Sequence, residues 1–246
     1  MNARALLTSA WTEAKLFVRE PMTVLFTLVL PLLFLLVLGG VFGNKPNSAW
    51  QGQGPVNFYV PAYLGLVWAS VGLLVLPLHI VRYREDGVLR RLRASAAPKW
   101  AIFGSQAIVA SAIALVGGAV LIAAAELTYH VRAPQSVAGV LGAWLLAGIV
   151  FAALGLLLSC VPTSRGVLGA GLGLFFVMMM LSGSGPPFKV MSSPLRHISN
   201  ILPLTYVTRI LEAPWLGTSL AWTDVGVAVG IALAAGTIAA VAFRWE

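Results

Sequence analysis

The side chains able to do chemistry in this chain are few and far apart. His79, His130 and His197 lie near the ends of apolar runs or in a proline-rich stretch, and no H-E-x-x-H pair occurs. Each histidine therefore reads as an interfacial residue, and metal ligands are expected to be none. Cys160, the only cysteine, has no partner in the chain for a disulfide or a cysteine metal site, and reads as a small buried hydrophobe. No phosphate-binding G-x-x-x-x-G-K-[ST] sequence appears, so this chain does not by itself bind and hydrolyse ATP in that manner. Catalytic residues are thus expected to be none, with no cofactor held by the chain itself and no enzymatic activity of its own.

Charge is the more informative chemistry. Residues 82–99 read RYREDGVLRRLRASAAPK, the densest concentration of charge in the sequence. Glu85 and Asp86 precede Gly87, and Leu89 and Leu92 are three apart, which predicts a short helix with a small apolar ridge suited to a partner's groove. A second polar cluster, Arg209 and Glu212, sits in an otherwise apolar, proline-interrupted stretch. Glu126 and Asp224 fall at the ends of apolar runs rather than inside them, which disfavours ion-coupled transport.

These residues must be held by membrane helices. The 246 residues are 59% hydrophobic and only 10% charged, with a mean hydropathy of +0.90, far outside the soluble globular range. A spanning helix needs about 20 apolar residues, and each central charge costs roughly 2.5–3.5 kcal/mol, so charges mark the ends of spans. Cut this way, the chain is an all-α polytopic membrane protein with spans over 22–42, 58–81, 100–125, 137–161, 166–185 and 225–243, forming a single transmembrane unit over 1–246. The first run begins too late and runs too long for a cleaved signal peptide. Six spans put both termini on one side. If that side is cytoplasmic, it holds eleven of the sixteen basic residues, which is the positive-inside pattern rather than a nucleic-acid surface. The expected location is a cytoplasmic (inner) membrane, with lipid as a partner and no nucleic acid.

Three segments lie outside the spans. Over 1–20, Leu7, Ala10, Ala14, Phe17 and Val18 recur at helical spacing opposite Arg4, Lys15 and Arg19, predicting an interfacial amphipathic helix. Residues 82–99 form a charged cytoplasmic loop. Residues 186–217 carry Pro186, Pro187, Pro194, Pro203 and Pro214, which a straight spanning helix would not. Crossing there would also carry Arg209 and Glu212 into hydrocarbon at roughly 5–7 kcal/mol if unpaired. A re-entrant hairpin on the outer side is the cheaper arrangement, and non-helical backbone at membrane depth points to a translocation path. The alternative is a seventh span in which Arg209 and Glu212 pair.

The stretch Arg84-Glu85-Asp86-Gly87-Val88-Leu89 is similar to the acidic-glycine-threonine-leucine motif that follows the second span in the membrane subunits of type-2 ABC exporters. Ser182-Gly183, Pro187, Met191, Pro194-Leu195 and Pro203-Leu204-Thr205-Tyr206 fall in the order and approximate spacing of that family's segment between spans five and six. The resemblance covers nearly the whole chain. It departs at Val88 in place of threonine, Arg90 where an acidic residue is common, and Ser95-Ala96-Ala97-Pro98 in place of a threonine-proline pair.

The resemblance implies a permease subunit of an ATP-driven exporter, with ATP and Mg bound by a separate nucleotide-binding ATPase subunit and with a second permease copy completing the transporter. Arg84, Glu85, Asp86, Gly87, Leu89, Arg90 and Leu92 would then couple to the ATPase, and Pro187, Pro194, Pro203 and Tyr206 would shape the re-entrant hairpin. In span five, Phe175, Phe176, Met178 and Met179 form a bulky, adaptable surface that suits a hydrophobic or amphipathic cargo, drug or lipid-like, although lipid contact or helix packing explains the same residues. A polysaccharide cargo, an ion-driven or passive carrier, and a membrane anchor that only recruits a cytoplasmic partner are the competing readings.

Overall fold

The computed structural model describes residues 24–50, 52–88 and 99–243. Residues 1–23, 51, 89–98 and 244–246 lie outside it, so the expected amphipathic helix over 1–20 and the positions Leu89, Arg90 and Leu92 fall beyond the described residues.

Among the described residues the regular secondary structure is all helical, apart from one isolated antiparallel bridge between Asn47 and Gln53. Six helices have the length and apolar character to cross a membrane: α1 (Leu25–Phe42), α2 (Pro55–Glu85), α3 (Lys99–Tyr129), α4 (Val137–Leu158), α5 (Ser164–Leu181) and α8 (Trp222–Ala242). Between α5 and α8 lie two shorter helices, α6 (Ser193–Ser199) and α7 (Pro203–Leu216). At 14 residues α7 extends about 21 Å, short of a hydrocarbon core of about 30 Å. Helix α7, which carries Arg209 and Glu212, is therefore not among the helices of membrane length.

Helix α2 is the axis of the molecule. From Pro55 to Val81 every residue except His79 is buried, and α1, α3, α4, α5 and α7 all pack on it. By contrast α1, α4 and α8 each keep an apolar face exposed, including Leu33, Val37, Leu145, Ile149 and Leu233, as lipid-facing helices must.

Two helices widen locally to π-helical turns, Leu25–Val29 in α1 and Val71–Val75 in α2. Each turn ends two residues before a proline, Pro31 and Pro77. Proline offers no N–H to the carbonyl four residues back and crowds it, and a widened turn absorbs that conflict. In α2 the widened turn is where neighbours come closest. A Cβ on Gly72 would stand 2.6 Å from the Phe151 Cβ and nearer still to the Phe151 carbonyl oxygen. One on Gly155 would run into the Gly72 carbonyl, and one on Gly171 into the Leu73 carbonyl. Helices α4 and α5 thus meet α2 backbone to backbone, a contact that only these small residues allow. At the same level Ser70 Oγ bonds Thr27 Oγ1 at 3.3 Å, joining the two widened turns.

Candidate functional site

The end of α2 that carries Arg82 to Glu85 will be called the basic end. There the helix stops at a left-handed glycine: the Asp86 N–H bonds the Arg82 carbonyl at 2.8 Å, the Gly87 N–H bonds the Arg84 carbonyl at 3.1 Å, and Gly87 has φ of +68°. Glycine at this position ends a helix without the Cβ strain of other residues, which gives the motif glycine its physical role.

Arg84 and Glu85 turn back onto the loop between α4 and α5. The Arg84 guanidinium donates to the carbonyls of Ser159 (3.2 Å), Val161 (2.6 Å) and Pro162 (3.0 Å). Glu85 Oε1 accepts from the Ser164 backbone N–H at 2.8 Å, at the first residue of α5. Below them Leu78, Val81 and Val167 form a small apolar cluster with Val161 against it. Cys160, in the same loop, is half-buried, with its thiol 3.7 Å from the Leu156 carbonyl.

At the opposite end, the segment from Ser182 to Gly217 carries the two short helices α6 and α7. Pro187 leads into a single 3-10 turn (Phe188–Val190), Pro194 lies in the first turn of α6, and Pro203 opens α7; at the first turn proline's missing N–H removes nothing the helix would use. The bend is fastened from within: Thr205 Oγ1 donates to the Ser199 carbonyl at 2.6 Å and the Tyr206 hydroxyl to the Asn200 carbonyl. Arg209 gathers the rest. It donates to Asn200 Oδ1 at 2.8 Å, lies 3.7 Å from the Asp224 carboxylate at the start of α8, and stands 4.9 Å from the centre of the Phe188 ring. Its ionic partner is therefore Asp224, not Glu212.

Glu212 is buried, and its Oε1 has no hydrogen-bond partner among the described residues. Burial pushes its carboxyl up to about 8, with Arg209 pulling the other way. Elsewhere in the segment 182–217, Ser182 Oγ, Ser184 Oγ, Thr208 Oγ1 and Trp215 Nε1 are buried with no hydrogen-bond partner among the described residues, as is the Tyr63 hydroxyl on α2. Leu204, Val207 and Leu211 of α7 converge on Gly65 of α2, ten residues into that helix. The start of α7 therefore lies about 15 Å along α2 from its first residue.

Of the four residues proposed from α5 to face a path, Phe175, Met178 and Met179 are buried and Phe176 is exposed. Phe175 and Phe176 both meet Phe26 of α1 edge-on, with centroids 5.8 and 6.1 Å apart. Packing in the single chain thus accounts for three of the four. Phe176, Val177 and Met180 form the outward face of α5.

Sequence reasoning singled out Arg84 and Glu85 but did not see the partners that the structure gives them. Those partners are backbone groups of residues 159–164, which no residue type announces. It also missed Asp224 as the counter-ion of Arg209, although an acidic residue at a span end was the available signal.

Six membrane-length helices, the second of them buried among its neighbours, with a charged connection after it and two short proline-opened helices before the last span, are those of a polytopic membrane protein. The chain belongs to the ABC-2 type transporter family, whose sequence pattern matches residues 4–214. It is similar to the probable multidrug ABC transporter permease YbhR of Escherichia coli K12 and of Escherichia coli O157:H7, at 25% identity over 193 residues in each case. That alignment covers 76% of this chain and 52% of the relative, so the chain spans about half the length of the curated relatives it matches.

Proposed function

We propose that this chain is the permease subunit of an ATP-driven exporter that moves a hydrophobic or amphipathic compound across the cytoplasmic membrane by alternating access. The observation that carries the reading is the continuity of α2. The helix on which five other helices pack runs without a break into the charged segment 82–99. Force applied there by a separate nucleotide-binding subunit, which would hold the ATP and Mg, acts directly on the axis of the fold. Differential contact with that subunit in its open and closed states would supply the free energy for the change.

In this reading the basic end and both termini are cytoplasmic, and α6 and α7 form a re-entrant hairpin on the outer side. The proximity of Leu204 to Gly65, about a third of the way along α2, supports partial entry of α7. Buried polar atoms without partners around the hairpin support a hydrated passage there, since such groups at membrane depth require water or protein to satisfy them. The exposed apolar face of α5 at Phe176, Val177 and Met180 suits a second permease copy, with Phe176 the α5 residue left to meet cargo.

Co-purification and nucleotide hydrolysis test the reading. A P-loop ATPase encoded beside this chain should co-purify with it and change its ATP turnover when the two are combined in lipid. Independent migration of the two proteins and unaltered turnover would favour a passive or ion-driven carrier.

A further inference from the structure

Arg84 and Glu85 are adjacent residues on the last turn of α2, yet they reach the ends of two different helices. The Arg84 guanidinium caps the carbonyls that follow α4, and the Glu85 carboxylate takes the first N–H of α5. Both signs suit their targets: a cation at a helix C-terminus and an anion at a helix N-terminus are each stabilised by the helix dipole and by the backbone groups left unpaired there. One planar guanidinium meets three carbonyls, a geometry that a lysine ammonium does not reproduce as a rigid fork.

The same three helices are locked once more, about 16 Å away along α2, where Gly72, Gly155 and Gly171 allow backbone contact around Leu73. Between the two levels Leu78, Val81 and Val167 fill the interior.

We propose that Arg84 and Glu85 are positioning residues which clamp the α4–α5 turn to the end of α2, so that a displacement of segment 82–99 carries α2, α4 and α5 as one body. This rests on the ATPase-driven reading above and changes what the motif does within it. The arginine and the first acidic residue act inside the permease, and the surface offered to the ATPase is the turn they hold.

The test compares Glu85→Ala, Glu85→Gln and Arg84→Lys in the full chain. Amide hydrogen exchange is followed at Ser164 and Arg165 in lipid nanodiscs, and ATP-dependent transport in vesicles that also hold the nucleotide-binding subunit. Loss of the carboxylate bond in Glu85→Ala should speed Ser164 exchange about tenfold or more and depress transport with it. Glutamine keeps an acceptor oxygen, though a weaker one, so Glu85→Gln should hold both readouts within about threefold of wild type. Arg84→Lys should loosen the turn and lose transport. Unchanged Ser164 exchange in Glu85→Ala would overturn the clamp alone. Transport lost equally in the glutamine and alanine variants, with exchange protection kept in glutamine, would also overturn it, since the partner would then be reading the charge directly. Wild-type transport indifferent to the ATPase would overturn the parent reading, while the exchange measurement would still report on the clamp.

Discussion

Adding a single methyl group at the α2–α4 crossing should cost more than its size suggests. A Cβ on Gly72 would stand 2.6 Å from the Phe151 Cβ and nearer still to the Phe151 carbonyl oxygen, whereas ordinary contact begins near 3.4 Å, so the helices must part by about 1 Å. A buried side chain gathers roughly 40–60 atom contacts of about 0.1–0.2 kcal/mol each, and a gap of 0.5–1 Å forfeits at least a quarter of each. The loss is about 1–3 kcal/mol for one opened side chain, the usual range for overpacking. Gly155→Ala should cost a similar amount. Both lesions open the same crossing, so the double variant should cost less than the two single losses added together. Gly226→Ala and Gly230→Ala, where a Cβ meets nothing within 4 Å, serve as controls and should be neutral or slightly stabilising. Unfolding of the purified protein by SDS in mixed micelles, followed by circular dichroism, reads all five. If Gly230→Ala destabilises as much as Gly72→Ala, close backbone packing on α2 is not what holds the bundle, and the reasoning fails.

Three further outcomes concern the segment between α5 and α8. Arg209→Ala removes the bond to Asn200 and the ion pair with Asp224 and should destabilise by about 1–3 kcal/mol, seen as a lower thermal midpoint of the detergent-solubilised protein. The Glu212 carboxyl is pushed up to about 8 on folding, so the folded state binds the extra proton between about pH 4.5 and 8 and stability should fall as pH rises through that window. Glu212→Gln should flatten that slope, and an unchanged slope in the variant would show that another group is responsible. Gly183→Ala combines a φ of +84° with a Cβ placed 2.6 Å from the Phe188 ring; trypsin should cut at Lys189 sooner in this variant than in wild type if the turn loosens as expected.

Much of the scaffold is legible in the sequence because charge is so costly in hydrocarbon. Lys45, Arg132, Arg165 and Asp224 punctuate the apolar runs, and the six membrane-length helices lie between such marks. Proline was legible too: it separated 186–217 from the spans and opens α6 and α7. The arrangement around α2 was not legible. Hydropathy cannot distinguish a helix surrounded by lipid from one surrounded by helices, since Leu66 and Leu73, fully buried, and Leu33, half exposed, are the same residue type. The widened turn at Val71–Val75 was signalled by Pro77, but only in combination with the helix partners that fill it. At the basic end the motif named Arg84 and Glu85, while their backbone partners carried no sequence signature. In α5 the run of aromatic and methionine residues gave no indication that Phe175, Met178 and Met179 turn inward and Phe176 outward.

The most direct test of the account is efflux of a lipophilic fluorescent dye from sealed vesicles containing the purified chain, measured with and without its nucleotide-binding subunit and ATP. Dye movement that needs both additions and stops when the ATPase is inactivated is the expected result. Movement at the same rate with the permease alone would contradict the claim that work enters through the segment after α2.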